Sequence, residues 1–338
     1  MLEIDGSEGE GGGQILRTSL ALSMVTGVPI RIRNIRARRS RPGLMRQHQT
    51  AVQAAARVSG ARVEGAEVGS GEISFAPGAV RPGEYRFDIG TAGSATLILQ
   101  TLLPALILAS GPTDLTLEGG THNPAAPPFD YLDRVFLPLV RRMGGHVEVA
   151  LERPGFYPAG GGKLRVRISP AGSLSGLELL ERGEIRNRRA TAILSSLPRH
   201  VAERELRQVE SEAGWQPADL EIREVRSPGP GNVLLLEVES EALTEMFAGF
   251  GERGVPAEQV ADRALGEMRR YLEAGVPVGE HLADQLLLPL ALAGSGAFAT
   301  VPLSLHARTQ IELIPRFLDV RITAEEGEAR SVVRIGKS

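Results

Sequence analysis

Three apolar runs of helical length, residues 14–23, 100–109 and 285–294, punctuate the chain, and each opens on a glutamine: Gln14, Gln100 and Gln285. With so few polar breaks, each predicts a helix covered on most sides. Pro104 and Pro289 stand four residues after their glutamines and are expected within the first turn or two, where proline costs least. Each run leads through a glycine into a short strand pattern (27–35, 111–119, 296–305), and polar residues close it: Arg36 with Arg38 and Arg39, His122 with Asn123, His306 with Arg308. Arg36 and His122 lie 22 positions beyond their glutamines and His306 lies 21 beyond its own. A second helix pattern follows at 46–58, 128–143 and 310–318, and the first two units add strand-like stretches at 62–68 and 73–75, and at 146–150 and 163–168.

The first two glutamines are 86 residues apart and the next two 185, an excess of 99. That excess predicts an inserted domain at 181–276, with a strand at 185–194, a helix at 199–213, strands at 219–226 and 232–239, and a helix at 257–273. The turn signal Ser227-Pro228-Gly229-Pro230-Gly231 falls inside it. The expected architecture is α/β: a large three-repeat domain from 1–180 and 277–338, and a smaller β-α-β-β-α insert. If the three units pack around a pseudo-threefold axis, Arg36, His122 and His306 converge on one cleft.

The 338 residues carry 38 bases against 41 acids, net −3, an ordinary globular balance that leaves room for local basic patches. Glycine (40) and proline (22) supply about 18% of the chain against a usual ~12%, so tight turns and close backbone approaches are expected. The absence of cysteine excludes disulfides, thiolate zinc and cysteine nucleophiles, and fits a reducing compartment. The acidic, glycine-rich start is unlike a signal peptide, and the longest apolar stretch, 96–109, is broken by Gln100 and Pro104; a cytoplasmic protein with no membrane partner is expected.

Several stretches are candidates for chemistry. Gly9-Glu10-Gly11-Gly12-Gly13 stands directly before a helix, where free N–H groups favour an anion, yet it matches neither a Walker A loop nor GxGxxG. Glu10 there suits phosphate only with a divalent metal between them, and Arg17 follows one turn on; the bland reading is a turn with a solvated Glu. Residues 31–46 hold seven arginines and no acid. Arg31 and Arg33 read as a solvated strand face, whereas Arg36, Arg38, Arg39 and Arg41 read as a phosphate loop with no flanking carboxylate to neutralise it. His48, beside Gln47, is a candidate phosphate contact. His122 reads equally well as a structural residue, and His146 and His200 as ordinary ones. His306 is open to roles as nucleophile, general base or core residue. No three-histidine zinc spacing is evident. The proline cluster 124–128 is either a rigid helix start or a bracket for a planar base, and Lys163 after Gly160-Gly161-Gly162 is either a hairpin residue or a phosphate contact.

Taken in order, DGSEGEGGGQILR (5–17), RPGLMRQHQTAV (41–52), GTAGSATLILQTLLPAL (90–106), GGTHNPAAPPFDY (119–131), RPGFYPAGGGK (153–163), PRHVAERE (198–205), SPGPGN (227–232), EVESE (237–241) and VGEHLADQLLLPLALAG (278–294), with His306, resemble the RNA 3′-terminal phosphate cyclase family over nearly the whole chain. The resemblance implies a body of three βαβαββ-type repeats similar to the C-terminal domain of translation initiation factor three, with a thioredoxin-like insert. It implies ATP-dependent conversion of an RNA 3′-phosphate to a 2′,3′-cyclic phosphate through a histidine–AMP and an RNA(3′)pp(5′)A intermediate, with Mg²⁺ or Mn²⁺. His306 then matches the adenylated residue by its Nε2, Glu10 the metal carboxylate and Arg17 a nearby phosphate contact. Gln100, Pro127, His281 and Asp284 match the AMP pocket, with Pro127 on adenine, while Arg36, Arg39 and Gln47 match the pocket for the RNA terminal phosphate. His281 stands where the family often carries tyrosine. The alternative is a cyclase-like RNA-binding ribosome-assembly protein without catalysis. A third reading, a three-repeat enolpyruvyl-type transferase, gives no reason for His306.

Overall fold

The computed structural model describes residues 1–338 as a mixed α/β protein built from four four-stranded sheets. The first holds β1 (Leu2–Asp5), β2 (Ile30–Arg33), β3 (Arg62–Glu64) and β4 (Ile73–Ala76), with α1 (Gly13–Thr26) and α2 (Arg46–Ser59) in the connections. The second holds β5 (Gly83–Asp88), β6 (Thr113–Gly119), β7 (His146–Arg153) and β8 (Gly162–Ser169), with α3 (Ala95–Ile107) between β5 and β6. Its second helical segment runs through α4 (Phe129–Tyr131), a π turn (Leu132–Phe136) and α5 (Leu137–Arg142). The third sheet begins with the two-residue β9 (Glu178–Leu179) and is completed by β14 (Gly296–Thr300), β15 (Val320–Glu326) and β16 (Ser331–Lys337), joined by α8 (Glu280–Ala293) and α9 (Leu305–Leu313). Between them lie β10 (Ile185–Ser195), α6 (His200–Ala213), β11 (Leu220–Glu224), β12 (Gly231–Ser240), β13 (Thr244–Phe250) and α7 (Ala257–Ala274).

Three sheets share one order and one sense of pairing. β1, β5 and β9 each run parallel to the next strand, and the remaining two strands add antiparallel, giving β1-β2-β4-β3, β5-β6-β8-β7 and β9-β14-β16-β15. β1, β5 and β9 escape the sequence pattern because they are short and sit among glycines and charges, where two to six residues give no period to read. The sheet of 185–250 is β11-β10-β12-β13, and its edge strand β13 is likewise absent from the expected β-α-β-β-α order: Glu245 and Gly249 interrupt its apolar residues.

Apolar burial divides into a cluster of 66 residues and one of 18. α1, α3 and α8 are sunk in the larger, which explains apolar residues on nearly every side of them. β12 contributes Val233 and Leu235 to the larger cluster and Leu234, Leu236 and Val238 to the smaller, so alternate side chains of one strand feed two cores. Covered on both faces, such a strand reads as an unbroken apolar run.

Two helix readings are corrected. α3 and α8 begin five residues before their glutamines, so Pro104 and Pro289 are tenth in their helices and interior, not in the first turn or two. Each removes an N–H that would bond the carbonyl four residues back, that of Gln100 or Gln285. His306 does not follow a strand: β14 ends at Thr300, Ser304 caps α9 by accepting from the Ala307 N–H at 3.2 Å, and His306 lies in the first helical turn.

Candidate functional site

A cavity of about 790 Å³ opens where α1, α3 and α8 meet α9, the arginine loop and β13. The three long helices present equivalent positions to it. Counting from each glutamine, residues 0, +3, +4 and +7 all line the space: Gln14, Arg17, Thr18, Ala21; Gln100, Leu103, Pro104, Ile107; Gln285, Leu288, Pro289, Leu292. These are one face of a helix. At +3 two helices carry leucine and α1 carries arginine, so the apolar face acquires a cation in one helix only.

α1 starts without a side-chain cap and without an acid in its first turn, leaving N–H groups free for an anion. Its approach is glycine-rich for steric reasons. A Cβ on Gly13 would stand 2.4 Å from His48 Nε2 and 2.6 Å from an Arg17 guanidinium nitrogen, so only glycine admits both side chains over the helix end. Gly9, at φ +52°, lies against Thr309, whose hydroxyl accepts from the Glu10 N–H at 2.9 Å and so ties the loop to α9.

Glu10 accepts from the Gly12 N–H at 2.8 Å and pairs with Arg39, its side chain only 9% exposed. In the first turn of α9, His306 Nδ1 sits 2.8 Å from Gln14 Oε1, and Gln14 Nε2 donates to Asp284 at 2.9 Å. When ionised, the Asp284 carboxylate fixes which way the Gln14 amide faces, because only the NH₂ end can meet it. The oxygen therefore meets the imidazole, the proton resides on Nδ1, and Nε2 carries the lone pair. Gln100 Nε2 donates to Gln285 Oε1 at 2.7 Å, and Gln310 Nε2 donates to the Asp284 carbonyl at 2.5 Å.

Charges in the cavity shape one another. Burial brings Arg17 down to about 10, still charged at neutral pH, with Asp284 opposing the fall. Burial lifts Asp284 to about 7 against His281, Arg17 and the Gln14 hydrogen bond. His306 is held below the ordinary imidazole value by burial, then by Arg17, His281 and Arg39, which keeps the ring neutral. His48, buried beside Arg17 and Arg36, falls to about 3 and accepts the Met45 N–H on Nδ1 at 3.2 Å. Glu267, 3.7 Å from the exposed His281 ring, raises that histidine.

All ten residues that the family resemblance assigns to the site line this cavity: Glu10, Arg17, Arg36, Arg39, Gln47, Gln100, Pro127, His281, Asp284 and His306. Arg36 spends Nη1 on the carbonyls of Arg41 (2.6 Å) and Gly43 (3.0 Å), bracing the loop. Pro127 accepts the Thr96 hydroxyl at 2.8 Å. No group of three metal-ligating side chains occurs in the structure, and Glu10 is the carboxylate nearest the free end of α1.

Two expectations fail, and Lys163 takes the hairpin reading of the two open to it. His122 does not join Arg36 and His306: it is buried against Phe156, bonded to Asp130 at 2.9 Å and to Thr121 at 2.9 Å. Lys163 pairs with Glu152 at 2.9 Å on the neighbouring strand and does not line the cavity. The arginine stretch is not free of carboxylates in space, since Glu72, Glu3 and Glu10 reach Arg31, Arg33 and Arg39 from other segments. Gln14, Gln285 and Gln310 were missed as site residues. The signal was present for two of them, in the glutamines that mark the repeats.

The model of the family described as RNA 3′-terminal phosphate cyclase matches residues 8–324. An RNA 3′-terminal phosphate cyclase from Koribacter versatilis is 54% identical over 98% of this chain and 94% of its own length. One from Pseudomonas fluorescens is 55% identical, covering 96% and 94%. The enolpyruvyl transferase NikO from Streptomyces tendae superposes with a TM-score of 0.40 at 12% identity, covering all of this chain and 49% of that one, too loosely to bear on function.

Proposed function

The chain belongs to the RNA 3′-terminal phosphate cyclase family, and from that premise we propose that its cavity carries out ATP-dependent conversion of an RNA 3′-phosphate to a 2′,3′-cyclic phosphate, with His306 as nucleophile. The observation that carries this reading is the His306–Gln14–Asp284 chain, because it leaves Nε2 unprotonated and aimed away from the bonded nitrogen.

In the first step Nε2 attacks the α-phosphorus of ATP, an N–P bond forms, and pyrophosphate leaves. Positive charge develops on the ring as it bonds phosphorus, and Gln14 Oε1 receives it through the Nδ1 proton. Arg17 and the free N–H groups of α1 face the triphosphate. In the second step an oxygen of the RNA 3′-phosphate attacks the same phosphorus and the N–P bond breaks, giving RNA(3′)pp(5′)A and a neutral imidazole. In the third, the vicinal 2′-OH attacks the RNA phosphorus, its proton passing to solvent, and AMP departs, its phosphate a far better leaving group than oxide. Arg36, Arg39 and Gln47 hold the RNA phosphate in line with His306, while Gln100, Pro127, His281 and Asp284 bound the adenosine side.

Glu10 is the residue that would hold Mg²⁺ or Mn²⁺: a single carboxylate suits an ion that takes its other ligands from phosphate and water. Bound there, the ion supplies neutralisation of the pyrophosphate charge.

We read the body as three copies of a βαβαββ unit, as in the C-terminal domain of translation initiation factor three, from 1–180 and 277–338, with a smaller thioredoxin-like domain inserted at 181–276. The shared order of three sheets and the matching positions on three helices support that reading. A cytoplasmic location suits this substrate and a chain without cysteine; no helix is long and apolar enough to cross a membrane.

The test is an oligonucleotide bearing a ³²P-labelled 3′-phosphate. ATP should render the label resistant to phosphatase, and His306→Ala should abolish that resistance; resistance without ATP, or full activity in the variant, would refute the reading.

A further inference from the structure

The structure sorts the seven arginines of residues 31–46 into three groups that the sequence cannot separate. Arg31 and Arg33 lie on β2 and pair with Glu72, Arg33 also with Glu3 at 3.6 Å. Arg36 and Arg39 line the cavity, one bracing the loop and the other paired with Glu10. Arg38, Arg41 and Arg46 remain. All three are exposed, no carboxylate lies within 4.0 Å of any of them, and none of their side chains makes a hydrogen bond.

Their placement gives this freedom meaning. Arg38 adjoins Arg39, Arg46 stands between Met45 and Gln47, and the Arg41 carbonyl is a partner of the Arg36 guanidinium. Each free cation is thus next to, or bonded through its backbone to, a residue that lines the cavity, and all three are exposed. Residues 34–46 contain no acid, although the chain as a whole is net negative. Asp5 reaches Arg38 only as a longer-range charge, and like charges held together with so little neutralisation cost free energy unless a polyanion relieves them.

We propose that Arg38, Arg41 and Arg46 form a track for the backbone phosphates of RNA upstream of the 3′ end, so that binding extends beyond the terminal phosphate. The proposal rests on the RNA 3′-phosphate reading above. Guanidinium forks suit phosphate oxygens, and such contacts position a strand without reading its sequence. Met45, 37% exposed and lining the cavity, offers an apolar surface to a base between the track and the terminal pocket.

The consequence is a dependence on substrate length. In the Arg38→Ala, Arg41→Ala, Arg46→Ala triple variant, the KM for a ten-nucleotide RNA 3′-phosphate should rise about 10- to 100-fold at low salt. The KM for a dinucleotide 3′-phosphate, with few upstream phosphates, should stay within about two-fold of the parent on the same argument. The salt dependence of decamer binding should flatten by about two in log–log slope, three contacts at roughly 0.7 each for a single strand. Labelling by [α-³²P]ATP, which involves no RNA, should be unchanged and reports an intact fold. Removing Arg188 and Arg321, exposed and unpaired arginines on β10 and β15, should leave both substrates unaffected. Equal losses for dinucleotide and decamer, or an unchanged decamer KM, would overturn the track. A parent protein that labels with ATP but cyclises neither substrate would instead overturn the reading beneath it, and the track with it.

Discussion

Gln14, near the start of the first long helix, places its amide oxygen 2.8 Å from His306 Nδ1, 292 residues away. The same amide donates to Asp284 at 2.9 Å, so the glutamine is locked at both ends and dictates the imidazole tautomer. α1 supplies the orienting group, α8 the group that orients it, and α9 the nucleophile. Three distant segments thus prepare a single lone pair.

Gln14→Ala should therefore lower self-adenylylation by roughly 10- to 100-fold, the usual cost of losing a group that orients a histidine. In ¹⁵N spectra of the imidazole, His306 should lose its bias toward the Nδ1–H form. An unchanged labelling rate with an unchanged tautomer would show that Gln14 is only packing.

The His306 ring is a nucleophile when neutral, and its surroundings hold its pKa below the ordinary 6.5. Labelling should fall as pH drops below neutrality, first as Asp284 protonates near 7 and loosens its hold on the Gln14 amide, then as the His306 ring gains a proton at its depressed value. An NMR titration placing the His306 midpoint at or above 6.5 would contradict the environment described.

Gly13→Ala places a methyl group against both His48 and Arg17. Neither can retreat freely, since His48 is buried and Arg17 lies deep in the cavity. The variant should fold, because position 13 is helical and alanine favours helix, yet lose more than about 10-fold in labelling, the scale of an Å-level misplacement. Parent-like labelling would mean that the helix end does not face the reacting phosphates.

Glu205 is fully buried in the smaller core, with one oxygen accepting from Asn232 at 3.0 Å and the other unpartnered. Burial raises it to about 7 from 4.5. The folded state thus prefers the protonated acid, and the stability this gives is complete below about 4.5 and lost as pH rises through about 7. Glu205→Gln keeps an uncharged acceptor, so its thermal stability relative to the parent should climb by several degrees over that interval and then level. A difference independent of pH would refute the assignment.

How far the site could be read from sequence depended on the kind of signal. Arg36 and His306 fall 22 and 21 positions beyond repeated glutamines, and the repeat alone brought them together. The same rule failed for His122, because Asp130 and Phe156 capture that ring in the second unit. The roles given to Gln47, Gln100 and Asp284 came from resemblance, since a lone carboxylate or glutamine has no spacing to read. Gln14 was visible as a marker and invisible as a functional group, because what gives it a role is two partners 270 and 292 residues away. β1, β5, β9 and β13 were lost for a different reason: each is short or interrupted, and its identity lies in pairing.

The central claim is that His306 becomes covalently adenylylated. Incubation with [α-³²P]ATP and Mg²⁺ or Mn²⁺ should label the protein through an acid-labile, alkali-stable bond, [γ-³²P]ATP should leave it unlabelled, and peptide mapping should place the AMP on His306, with no label in His306→Ala. Full labelling of that variant, or AMP recovered on another residue, would contradict the account.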